Sequence, residues 1–79
     1  MAKLHTIRKA IITVYANDHL PPHFHVITPD VEALVEIATL KVLAGELPRQ
    51  SRKEIMSWVE TNIATIKKER NRVNQFRVL

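Results

Sequence analysis

The sequence predicts an α+β fold, an antiparallel three- to four-stranded meander followed by one long C-terminal helix packed on one sheet face. Two observations carry this prediction. Residues 10–44 alternate between β-branched runs and short turn signals built on Pro and Asp. Residues 52–73 repeat apolar side chains at helical spacing without a Pro or Gly. The hairpin connections are too short for crossover helices, so neighbouring strands run antiparallel.

The first strand spans about 10–15, because Ala10-Ile11-Ile12-Thr13-Val14-Tyr15 is dense in β-branched and aromatic residues. Asn17-Asp18 ends it, and Pro21-Pro22 interrupts regular pairing. The second strand, about 24–28, starts at Phe24. Pro29-Asp30 turns the chain into a third strand, about 31–37. Residues 38–41 form a weaker turn without glycine, and 42–44 make the fourth strand. Gly45 and Pro48 then lead into the helix, with Gly45 supplying a backbone conformation other residues resist.

The helix spans about 52–73. Ser51 followed by Glu54 has the spacing of a capping box, in which each side chain satisfies a free backbone N–H at the helix start. Ile55, Trp58, Val59, Ile63, Ile66 and Val73 fall on one arc, the stripe of a helix lying on a sheet. Trp58 reads as core, and Tyr15 as core packing beside the first strand's end. The tail Phe76-Arg77-Val78-Leu79 suits an edge strand or a contact with a neighbour.

Composition bounds the function. With 79 residues the chain is one domain, 1–79, whose small core makes dimerisation a common remedy. Cysteine is absent, which excludes disulfides and thiolate metal sites. Neither a signal peptide nor an apolar run of about 20 residues is evident, so no membrane partner and a cytoplasmic location are expected. Charge is uneven: residues 1–48 carry a net −1 and residues 49–79 a net +5. Lys53, Lys67, Lys68 and Arg72 lie on the outer side of the helix, where they are candidate contacts for an acidic protein, RNA or DNA. A solvated face that only keeps the protein soluble is the plainer alternative.

The concentrated chemistry is Asp18-His19-Leu20-Pro21-Pro22-His23-Phe24-His25. His23 and His25 are two apart, so on a strand both imidazoles share a face. With a two- or four-residue loop at Pro29-Asp30, opposed residues sum to 59, whereas a three- or five-residue loop shifts the register and changes the partners. In the first case His23 faces Glu36, His25 faces Leu34, and Ile27 faces Glu32. Glu36 is placed to orient His23, and Glu32 or Glu36 to reach His25 diagonally.

Three uses of this run stand open. In the first, the histidines are simply hydrogen-bonded strand-end residues. They are also candidate metal ligands (His19, His23 and His25, with Asp18 or Glu36) for divalent zinc, nickel or iron. A third use is metal-free acid–base or phosphate chemistry, with His19, His23, His25 and Glu36 as candidate catalytic groups. No serine or cysteine stands out as a nucleophile.

The segment Val14-Tyr15-Ala16-Asn17-Asp18-His19-Leu20-Pro21-Pro22-His23-Phe24-His25-Val26, with Gly45-Glu46-Leu47-Pro48-Arg49, closely resembles the bacterial family of short proteins called domain of unknown function 4160. Asp18, His19, Pro21, Pro22, His23, His25, Gly45, Leu47 and Pro48 match its pattern. The resemblance implies a gene neighbour encoding a second short protein, an arrangement similar to toxin–antitoxin modules. A binding or regulatory role toward that co-encoded protein, or toward RNA or DNA, follows as the expectation. A minimal histidine-centred hydrolase, a ribonuclease or metal-dependent enzyme, is the alternative. A pure interaction module, with the histidines only shaping a loop, is a third. Family members usually carry a glycine within 38–41, where this chain has Thr39-Leu40.

Overall fold

The structure is a computed structural model that describes residues 2–14 and 21–74. Five strands form one antiparallel sheet in the order β1-β2-β3-β4-β5: Ala2–Ile7, Ala10–Val14, His23–Ile27, Glu32–Glu36 and Val42–Gly45. A 3₁₀ turn at Arg49–Ser51 leads into α1, Arg52–Thr61, and α2, Ile63–Asn74. The α+β class and the meander agree with the sequence reading. Two details differ, the extra N-terminal strand and the division of the helix.

β1 escaped prediction because Lys3-Leu4-His5-Thr6 has little β-branched character and its turn, Arg8-Lys9, contains no turn former. The turn closes all the same, pairing Ile7 with Ala10 and holding Arg8 at φ +54°, a region that normally favours glycine. β1 also carries a register shift between Lys3 and His5. The helix divides at Asn62, whose backbone leaves the helical region at φ −113°. Asn62 caps α1 twice on one carbonyl: its backbone N–H and its Nδ2 each donate to the Trp58 carbonyl at 2.9 Å. An Asn side chain competing for a backbone carbonyl supplies the interruption that no Pro or Gly signals.

The core lies between the helices and one sheet face. Ile12, Val14, Phe24, Val26, Ala33 and Val35 are fully buried there, facing Ile55, Val59 and Ile66. Fully burying each larger aliphatic or aromatic side chain contributes about 1.5–3 kcal/mol. Trp58 and Ile63 pack at the margin of this core rather than in its centre. The side chain of Val73, along with Tyr15 and the tail 76–79, lies outside the described residues.

The capping-box expectation is not met. Ser51 makes no side-chain capping bond, and Glu54 turns away to accept from Arg8 Nε at 2.9 Å. Gly45 behaves as its place in the sequence implies. It sits at φ +72°, and a Cβ there would collide with the Glu32 carbonyl. In the turn without glycine it is Leu40 that takes φ +61°, while its N–H donates to the Glu36 carbonyl at 2.8 Å.

Candidate functional site

The β3–β4 hairpin sets the geometry of the site. Its turn is tied by Thr28, whose N–H donates to the Val31 carbonyl at 2.9 Å. The Thr28 hydroxyl oxygen receives the N–H groups of Asp30 at 3.2 Å and Val31 at 2.9 Å. Pro29 and Asp30 are thus a two-residue loop, and the register follows: His23 opposes Glu36, His25 opposes Leu34, and Ile27 opposes Glu32. The Ile37 N–H donates to the Pro22 carbonyl at 3.0 Å and carries the same register one step further. Pro22 can serve there because only its carbonyl is needed.

Phe24 and Val26 point to the helices, so His23 and His25 share the opposite sheet face. Their rings lie 5.0 Å apart between centroids, tilted by 52°. His23 is 2% exposed, and its Nδ1 lies 2.8 Å from the Pro21 carbonyl oxygen. A carbonyl only accepts, so Nδ1 carries the proton and, in the neutral ring, Nε2 carries the lone pair. His25 repeats the arrangement. Its Nδ1 lies 3.3 Å from Glu32 Oε2, and an ionised carboxylate likewise only accepts. In each ring Nδ1 is therefore the donor nitrogen and, when the ring is neutral, Nε2 carries the lone pair, the form that metal ligation or proton abstraction requires.

Glu36 stands opposite His23 in register, yet its carboxylate accepts the Thr39 hydroxyl at 2.6 Å. Thr39 also receives the Lys41 N–H at 3.2 Å, so Glu36 helps to shape the β4–β5 turn. Among the described residues, Glu32 is the carboxylate that reaches a histidine, by the diagonal route. Thr13 also belongs to this face: it pairs with His25 and is fully buried. Alternation along β2 places Thr13 opposite to Ile12 and Val14, a signal the sequence contains. Asp18 and His19 lie outside the described residues. Among the described residues no group of three His, Asp or Glu side chains is placed to hold a metal ion. A metal site would draw on His23 and His25 and require Asp18 or His19 as well.

Lys53, Lys67, Lys68 and Arg72 are all exposed, on the helix layer. Arg72 Nε is 2.9 Å from Glu69 Oε2, whereas no ion pair among the described residues engages Lys53, Lys67 or Lys68. The basic surface and the histidine pair are on opposite sides of the sheet. The structure brings His23 and His25 together, and keeps both apart from the basic residues.

His5 gives this layer an aromatic feature the sequence did not announce. Its ring stacks on Trp58 with centroids 4.6 Å apart and planes 1° from parallel, beside a shallow groove that also involves Ser57 and Asn62. Among the described residues, no helix is long and apolar enough to cross a membrane. No curated protein and no solved structure matches the chain. The family model for domain of unknown function 4160 matches residues 10–69, most of the chain, and the protein belongs to that family.

Proposed function

We propose that this family member is a small cytoplasmic binding module that meets a polyanionic partner through the outer face of α1 and α2. The observation that carries the reading is the state of Lys53, Lys67 and Lys68, exposed and held by no described ion pair. The apolar stripe of the same helices is spent on the sheet, so these cations remain available outside. Mobile ammonium groups suit phosphates, which need charge at a spacing rather than a fixed fork. In this reading the protein is the regulatory half of a two-gene, toxin–antitoxin-like module, and its partner is RNA, DNA or the co-encoded protein.

Binding to duplex and single-stranded RNA and DNA, measured by fluorescence anisotropy across a salt series, tests the reading. Affinity is expected to fall linearly with log salt, and each of Lys53→Ala, Lys67→Ala and Lys68→Ala to lower the slope by about one. Binding that is absent for nucleic acid and for the co-encoded protein, or that ignores salt, overturns it.

A second reading is favoured by the His25–Glu32 pair beside His23: a hydrolase in which one Nε2 abstracts a proton and the other ring donates one. It predicts that His23→Ala and His25→Ala abolish RNA or phosphoester hydrolysis while the fold persists. The two readings separate cleanly, because the residues of one lie across the sheet from those of the other. Zinc and nickel titration of the untagged protein, with a His19, His23 and His25 triple alanine variant as control, decides whether a metal belongs to the second.

A further inference from the structure

β5 and its flanks form an exposed edge that is complementary to itself. Residues 41–46 run beside β4: the Lys41 carbonyl accepts the Glu36 N–H at 2.8 Å, and the Glu46 N–H donates to the Glu32 carbonyl at 3.1 Å. Among the described residues, no strand lies on the other side of β5. Every residue of β5 is exposed, and Val42 and Leu43, each at 40%, are the exposed large hydrophobics among the described residues. Natural sheet edges are guarded by charges, prolines, bulges or short length. Val42–Gly45 contains no charge and no proline, and is guarded only by its four-residue length and the register shift opposite Leu34 and Val35, whereas β1 at the opposite edge carries Lys3.

We propose that this edge pairs with β5 of a second copy, antiparallel about a two-fold axis, in the register that sets Lys41 opposite Glu46 of the partner subunit. Three features select this occupant and register. First, one basic and one acidic residue flank the apolar strand at opposite ends, so a two-fold axis through its middle makes the same ion pair twice. Second, the Lys41 carbonyl and the Glu46 amide turn inward to β4, so alternation turns the backbone groups of the adjacent Val42 and Gly45 outward. The proposed register sets Val42 against Gly45 of the partner subunit. Third, Lys41 lies across from Glu36, and Glu46 across from Glu32, both on the histidine face. The β4–β5 pairing shifts register between Leu34 and Val35, so Lys41 and Glu46, although five residues apart, project from one face, as directly opposed residues must. The joined sheet is continuous, with the helices of both copies on one side.

One strand pair makes a small interface, so association is weak and concentration-dependent. Sedimentation velocity over a concentration series is the experiment, with circular dichroism confirming that each variant is folded. The unmodified protein is expected to self-associate. Lys41→Glu and Glu46→Lys each replace two attractive pairs with two repulsive ones and raise the dissociation constant about tenfold or more. An equimolar mixture of the two variants restores association, since every cross-pair is then attractive. Leu43→Lys weakens association without affecting the fold. A protein that stays monomeric throughout, association indifferent to these changes, or a mixture no tighter than its separate components would overturn the proposal.

Discussion

Glu32 and His25 meet diagonally across the β3–β4 hairpin, two positions from direct opposition, with Glu32 Oε2 3.3 Å from His25 Nδ1. The contact fixes which nitrogen of His25 carries the proton, because the carboxylate can only accept. Replacing Glu32 with Ala is expected to release that tautomer into a mixture, visible in the ring ¹⁵N shifts of His25. The stability cost should be small, about 0.5 kcal/mol, since Glu32 is half exposed. His23 keeps its tautomer in the same variant, because Pro21 and not Glu32 receives its proton. Ring shifts of His25 that do not respond to Glu32→Ala would refute the assignment.

The backbone at Gly45 allows a sharper expectation. Gly45→Ala combines a positive φ with a collision against the Glu32 carbonyl, which can be relieved only by separating β5 from β4 at this point. A loss of about 2 kcal/mol or more is expected in urea unfolding followed by Trp58 emission. Because Glu32 would be displaced, the His25 tautomer should loosen too. A variant as stable as the parent would mean that β5 can leave β4 at little cost.

The hairpin register was legible only in part, because two quantities determine it, the alternation along each strand and the loop length. Alternation is written in Phe24-His25-Val26-Ile27-Thr28-Pro29-Asp30-Val31, whereas the turn at Pro29-Asp30 is compatible with loops of either parity, and the structure supplies the length. The partner of Glu36 was not legible, since it depends on how the β4–β5 turn brings Thr39 back, which register does not describe. β1 was hidden for a related reason. Its pairing is imposed by a tight turn that Arg8 enters against its own preference, so no turn former marked it. The stack of His5 on Trp58 follows from β1 and was hidden with it. The break at Asn62 arises from one side-chain hydrogen bond, below the resolution of an apolar repeat.

Arg8 and Leu40 both sit at positive φ, and they should respond oppositely to glycine. Arg8→Gly removes the strain and loses only an exposed ion pair with Glu54, so a gain of about 0.5–1 kcal/mol is expected. Leu40 packs against the core, and Leu40→Gly gives up that burial along with the strain. Its net change should be near zero or unfavourable. Thermal unfolding of the two variants side by side checks this, and a stabilised Leu40→Gly would mean that Leu40 contributes little packing.

The start of α1 is where local pattern and structure disagree most plainly, and Ser51 measures the disagreement. A working capping box predicts a loss of about 1 kcal/mol for Ser51→Ala. Here Ser51 lies in the 3₁₀ turn with φ −108° and ψ 5°, makes no side-chain cap bond, and is 8% exposed. Its N–H is already committed to the Pro48 carbonyl at 3.3 Å. Ser51→Ala therefore removes no hydrogen bond, and a change under about 0.5 kcal/mol is expected in urea unfolding. Glu54→Gln should be comparably mild, because it weakens only the exposed pair with Arg8. A loss of a full kcal/mol for Ser51→Ala, with Glu54→Gln behaving alike, would show that the two side chains cap the helix after all.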